Sequence, residues 1–305
     1  MLPPVRIAAG VALVVLIAFD LLTWANTNTP SFTASPVDQA IGQIDHAPAY
    51  LAPVLADQTD LGAWRVDGAR ALSPRASLYK LSDVFGASPL QLAATAALNK
   101  LPVDRYWELF AVRYVITDAT TLPVASTPIG HGSDAHGAFT VQQLTDPRLY
   151  ARLVYQYDVN SNAVFDRQLL ADPKFPIRDK VILDREPSIK PGNRPTDSPS
   201  AVITVFAPEV ITVTVNTSAN ALLTLALPYY PGWQATIDER GAPILKSDTA
   251  LSAIAVPAGL HAVQLRFVPV TAIVGGAVSL TMLALLSLML IRWYRETPAI
   301  RLGIR

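Results

Sequence analysis

The chain contains no cysteine, which excludes disulfides and thiolate metal sites outright. Histidine is scarce too: His46, His131, His136 and His261 are the only four, leaving little raw material for nucleophilic catalysis. Charge is thin, at 16% of 305 residues, and the 24 basic residues are balanced by 24 acidic ones. Such a chain has no broad attraction for nucleic acid, and no nucleic-acid partner is expected. No glycine-rich phosphate loop, no Gly-x-Ser-x-Gly and no paired metal-binding motif occurs. The carboxylates are scattered, so no glycosidase-type pair stands out. The residues therefore point to no catalytic group, no metal and no cofactor, and the chain on its own reads as a non-enzyme.

What the chain has is apolar residues, 51% of the total, and 25 prolines. Its mean hydropathy of +0.31 fits a membrane protein with a substantial part outside the bilayer. So many prolines favour turns and strand edges over a helical bundle. Val270 to Ile291 is 22 residues without a charge, which as a helix spans about 33 Å, enough to cross a bilayer. Arg292, Trp293, Tyr294 and Arg295 follow as an interfacial flank. Ile7 to Trp24 is shorter and carries Asp20. It is read as a second span; a signal peptide is the alternative, disfavoured by its single arginine, its early prolines and the lack of a small-residue cleavage site. Asp20 either lines a proton or substrate path or, one turn from the interface, reaches water or caps a neighbouring helix. Arg6 on one side, and Arg292, Arg295, Arg301 and Arg305 on the other, put both termini in the cytoplasm and residues 25–268 outside.

Between the spans the pattern changes twice. Trp64 to Asp67 reads as a short strand. Ser88-Pro-Leu-Gln91 is a capping box that opens a helix to about Asn99, and Asp104 to Ala111 is a further helical turn or two. Val112 to Thr117 reads as a buried strand. His131, Asp134 and His136 could hold a transition metal, but a glycine-bearing loop preorganises them poorly, and a solvated loop is expected instead. Phe139 to Leu144 and Tyr150 to Tyr157 alternate well enough to pair with each other. Ala163 to Ala171 is a short helix and Lys180 to Asp184 a strand. Prolines 187, 191, 195 and 199 then mark residues 186–200 as a linker.

Beyond the linker everything reads β. Ile211, Val213 and Val215 share one face of a strand; His261, Val263, Leu265 and Phe267 alternate along another, with His261 packed on the sheet. The expected architecture is a membrane-anchored α+β protein. A mixed α/β region at 35–185 precedes an antiparallel β-sandwich at 201–268, and transmembrane helices at 7–24 and 270–291 flank the pair. The most suggestive surface is Tyr229, Tyr230, Trp233 and Asp238, set around the Pro231-Gly232 turn. Aromatic faces stack on sugar rings while an acid accepts hydroxyls; alternatively Trp233 and one tyrosine fill the sandwich core beside the turn.

The run Tyr-Tyr-Pro-Gly-Trp-Gln-Ala-Thr-Ile-Asp238, the block Asp248-Thr-Ala-Leu-Ser-Ala-Ile-Ala-Val-Pro-Ala-Gly-Leu-His261, and Phe-Val-Pro269 entering a helix resemble the C-terminal end of YfhO-type bacterial membrane proteins. Asp20-Leu-Leu, Leu78 to Gly86 with Ser88-Pro-Leu90, and Phe110 to Asp118 match that family in the same order. The resemblance implies kinship with GT-C-like membrane glycosyltransferases that use polyprenyl-phosphate sugars to decorate envelope polymers. That family's many-helix half, with its acidic catalytic loop, has no counterpart in these residues, so no catalytic residue carries over. Its usual Val-Asp-Gly is here Ile237-Asp-Glu-Arg-Gly241, a longer turn. The resemblance implies a bacterial plasma-membrane location and an extracytoplasmic accessory part, binding an envelope glycan or acceptor or docking on a multi-span glycosyltransferase subunit. The alternative is a membrane-tethered carbohydrate-binding or structural module with no transferase partner.

The arginine flanks make the topology testable. A cysteine placed at residues 186–200 should react with an impermeant thiol reagent on intact cells, and one placed after Arg295 should not. The opposite labelling pattern would reverse the orientation.

Overall fold

Two strands with apolar side chains on both faces decide the architecture. β10 (Ala221–Pro228) and β14 (Leu251–Val256) are buried along nearly their whole length, so each must be covered from two sides. The computed structural model describes residues 47–72, 75–85, 92–134 and 136–296. The chain divides into residues 1–52, of which the described part holds one 3-10 turn (Ala49–Leu51), and residues 53–305. The expected span at 7–24, Asp20 and the Ser88-Pro-Leu90 capping box lie outside the described residues.

Residues 53–305 form mostly β-sheet with a few helices. One sheet runs in the order β1 (Arg65–Asp67), β2 (Val112–Thr117), β4 (Gly137–Leu144) and β3 (Ser126–Asp134). A second runs β5 (Ala151–Val154), β10, β14, β13 (Ile244–Ser247), β7 (Lys180–Leu183) and β6 (Gln156–Val159). A third runs β12 (Arg240–Ala242), β11 (Trp233–Ile237), β15 (Gly259–Phe267), β9 (Val210–Thr217) and β8 (Ser200–Ala207). Besides short helical turns, the helices among the described residues are α1 (Ala93–Leu98), α2 (Val103–Phe110), α3 (Ala163–Ala171) and α4 (Val270–Glu296).

In the second sheet β5 and β6 stand at opposite ends of the strand order, yet only Tyr155 separates them in the chain. The extended segment 151–159 pairs with β10 through its first half and with β7 through its second. The sheet therefore curls until one continuous segment serves as both ends, and closure removes exposed edges. Val154, Val181, Leu183, Leu222, Leu245, Ala253 and Ala255 fill its inner side. On its outer side Leu223, Leu225, Leu227, Ile254 and Val256 share one cluster with Ile203, Ile211, Val213, Val215, Val263 and Leu265 of the third sheet. Leu222, Leu223 and Leu225 are at most 1% exposed, and each such side chain contributes about 1.5–3 kcal/mol on leaving water. Tyr155 and Thr217 share a 2.8 Å hydroxyl hydrogen bond, and Tyr150 meets Phe206 edge to face at 5.1 Å; both contacts join the second and third sheets. Arg65 donates to the Phe110 carbonyl at 2.8 Å and lies over the rings of Phe110 and Tyr150, tying the first sheet to the second.

Several expectations hold residue for residue. β2 spans Val112–Thr117 and α3 spans Ala163–Ala171, with the Asn162 side chain accepting from the Val164 and Phe165 amides as N-cap. Others change. Residues 137–144 do not pair with 150–157, because β2 and β3 already occupy both edges of β4. The stretch around His131 is a strand rather than a loop: β3 rides on β4, whose Phe139 and Val141 supply the burial that β3 lacks. Residues 186–200 do not separate two sheets, since the second sheet draws β5, β6 and β7 from before them and β10, β13 and β14 from after. That segment is strapped down instead. Gly192 donates to the Asn220 carbonyl at 2.9 Å, Asn220 donates back to the Lys190 carbonyl, and Arg194 pairs with Asp179.

α4 begins three residues after β15 ends. Val270–Trp293 has a mean hydropathy of 2.2 and none of it is buried, making it the one helix among the described residues long and apolar enough to cross a membrane.

Candidate functional site

The turn Tyr229-Tyr-Pro-Gly-Trp233 links β10 to β11, and two backbone contacts lock it. The Tyr229 amide donates to the Ala250 carbonyl at 2.7 Å, and the Val268 amide donates to the Gly232 carbonyl at 2.7 Å. Trp233 stands opposite Phe267 in the β11–β15 register. Phe267 covers Gly232 so closely that a Cβ there would lie 2.2 Å from the Phe267 Cε2, which only glycine avoids. The rings gather around that contact: Trp233 meets Phe267 edge to face at 5.5 Å, and Tyr230 lies tilted to it at 6.0 Å.

Tyr229, Tyr230 and Trp233 line one open depression of about 620 Å³, together with Gln234, Thr236 and Pro243. Tyr230 is 44% exposed, whereas Trp233 is half-buried and packs its inner side on the shared core. Both readings of Trp233 thus describe one side chain, with one part in the core and one part on the surface. On its other side Trp233 lines a larger groove of about 970 Å³ with Trp64, Tyr79, Lys80, Asp57, Gln58 and Phe206. Trp64 is 7% exposed and its Nε1 has no hydrogen-bond partner. This second groove was not legible in the sequence, because residues 54–82 reach Trp233 only through the tertiary fold.

Asp238 is not part of the aromatic group. It lies at the far end of β11, five residues and about 17 Å of extended chain from Trp233. Asp238 and Glu239 have φ of 47° and 68°, so both occupy the left-handed region that a tight two-residue hairpin requires. This places a two-residue β11–β12 turn at Asp238-Glu239, within the stretch Ile237 to Gly241. The Asp238 carboxylate accepts from His261 Nδ1 at 2.7 Å and from the Ala262 amide at 2.9 Å, and His261 Nε2 approaches the Ala258 carbonyl at 3.2 Å. The hydrogen bond to His261 holds the Asp238 carboxyl below its ordinary 3.8, and the same bond raises the imidazole above 6.5. His261 thus packs on the sheet as an ion-paired side chain.

Of His131, Asp134 and His136, the aspartate is already engaged. Arg70 donates to both Asp134 carboxylate oxygens, at 2.8 and 3.1 Å, pulling its pKa down to about 2. Among the described residues no three His, Asp or Glu side chains gather as metal ligands.

With this geometry in place, a comparison with known families becomes decisive for the C-terminal part. Residues 198–279 match the family of the bacterial membrane protein YfhO. The YfhO match takes in β8 to β15, the aromatic turn and the first ten residues of α4. It bears out the resemblance carried by the Tyr-Tyr-Pro-Gly-Trp run. No curated protein and no solved structure matches the chain.

The YfhO-like turn sits at the root of α4. Only two residues separate Phe267 from Val270, at most about 11 Å of chain. If α4 enters the bilayer at Val270, Tyr230 and Trp233 lie at headgroup level, where such rings are enriched.

The ion pair gives a pH test. Raised in the folded state, His261 contributes stability that is fully present below pH 6.5 and lost as pH rises through its folded pKa. Lowered, Asp238 contributes stability present above pH 3.8 and lost as pH falls through its folded pKa. The melting-temperature difference between the parent and Asp238→Asn should therefore be largest between about pH 4 and 6.5 and shrink above pH 7. A difference that does not change across this range would contradict the pairing.

Proposed function

We propose that this chain is a membrane-tethered, extracytoplasmic accessory part of a YfhO-like glycosyltransferase system. It holds an envelope glycan or lipid-linked acceptor on its aromatic turn and performs no transfer by itself. One observation carries the reading: Tyr229, Tyr230 and Trp233 line a single open depression beside the start of the apolar helix α4. Aromatic rings with a polar flank, here Gln234 and Thr236, suit a sugar, whose C–H faces are apolar and whose edges are hydroxyls. A depression at headgroup level suits a substrate whose other end is a lipid.

On this reading the second and third sheets form the expected β-sandwich, widened by strands from before residue 186. Both termini lie in the cytoplasm, with residues 7–24 forming the other span in a bacterial plasma membrane. Asp238 serves the hairpin and His261 rather than the glycan. The multi-span glycosyltransferase partner enters through the family alone.

Two substitutions separate binding from folding. Tyr230 is exposed, so Tyr230→Ala should shift stability by no more than about 0.5 kcal/mol. It should nevertheless weaken binding of an envelope polysaccharide by about tenfold, or 1.4 kcal/mol. Trp233→Ala should lower both binding and melting temperature, because half of the ring packs in the core. Titration of the full chain in detergent with purified envelope polysaccharide checks this; equal binding by parent and Tyr230→Ala would remove the turn from the glycan site.

A further inference from the structure

Six buried polar atoms without a hydrogen-bond partner lie on two short stretches: Arg148 Nη1 and Arg152 Nε on one, and Ser247 Oγ, Asp248 Oδ2, Thr249 Oγ1 and Ser252 Oγ on the other. β10 pairs with both β5, which holds Arg152, and β14, which holds Ser252. The arginines of this region differ sharply in how they are satisfied. Arg178 donates to both oxygens of Glu108, to the Asp146 side chain and to the Asp146 carbonyl. Arg152 donates to the carbonyls of Ile177 and Arg178. Arg148 is 7% exposed, and among the described residues no ion pair reaches it and its Nη1 has no partner.

A guanidinium stays protonated, and burying one without a counter-ion is costly unless something else supplies the charge. Asp248 does not do so at ion-pair distance. Its Oδ1 accepts from the Ile182 amide at 3.0 Å, and burial pushes its carboxyl toward the neutral form. Arg148 does, however, line a pocket of about 220 Å³ whose walls include Trp107, Val112, Val124 and Leu144. At the same pocket Arg178 is shared between Glu108 and Asp146, and Asp104 is a third carboxylate in the lining.

We propose that this pocket binds a small organic anion, with a carboxylate or phosphate head on Arg148 and a compact apolar body against Trp107 and Leu144. The head would make the charge-assisted hydrogen bonds that Arg148 lacks, and the walls would take an apolar group of roughly benzene size. The site is separate from the aromatic turn and independent of the glycan reading.

The test uses the full chain in detergent, melted in acetate, benzoate or inorganic phosphate against chloride at equal ionic strength. Binding to the folded state raises the melting temperature by mass action. A saturable rise is expected, with benzoate half-saturating at lower concentration than acetate because of the apolar walls; a rise with phosphate alone would support the site with a phosphate head. Arg148→Met, which removes this buried charge, should melt at or above the parent in chloride and lose the anion-dependent rise. Melting of the parent that is the same in all four salts overturns the proposal whether or not Arg148→Met folds. A rise that survives in Arg148→Met overturns it as well.

Discussion

The contact between Gly232 and the Phe267 ring is the constraint on which the C-terminal half depends. A ring packed where a Cβ would have to sit fixes Trp233 opposite Phe267, and with it the register of β11 on β15. That register places Ala235 against Leu265 and sets the inward face of the third sheet against β10 and β14. It also ties the aromatic turn to the last residues before α4. Sheet packing, the aromatic depression and the entry to the apolar helix are thus consequences of one close approach.

The second organising feature is the double burial of β10 and β14. Strands apolar on both faces are usual in parallel sheets covered by helices. Here both strands pair antiparallel with their neighbours, and the two covers are the third sheet on one side and the curled interior of their own sheet on the other. Curling requires the continuous segment 151–159, which lies before the proline-rich stretch. This is why the YfhO-matching region, residues 198–279, does not hold a complete second sheet by itself.

Local signals in the sequence were good guides to local structure. The alternation of Ile211, Val213 and Val215 with threonines, and of Val263 and Leu265 with Gln264 and Arg266, reports one buried face and one wet face, and both strands have them. The unbroken apolar run Ala221 to Leu227 marks a strand but cannot say what covers its two sides, which is a tertiary fact. β3 escaped notice because it is an edge strand with glycines and exposed polar residues, and it borrows its register from β4. In the candidate site, Tyr229, Tyr230 and Trp233, adjacent around Pro231-Gly232, line one depression. Asp238 was grouped with them by nearness in sequence, but an extended strand carries it away to the opposite hairpin. Arg148 carries no sequence signal at all, since only the fold buries it and leaves its Nη1 without a partner among the described residues.

The most direct measurement is the polysaccharide affinity of Gly232→Ala in the full chain. A Cβ at residue 232 must push Phe267 aside, disturbing Trp233 and Tyr230 together while leaving their chemistry intact. The account predicts a loss of binding at least as large as that of Tyr230→Ala, together with a lowered melting temperature. Parent-like affinity in a folded Gly232→Ala chain would contradict it, because the ring geometry set by that close approach would then have nothing to do with what the turn binds.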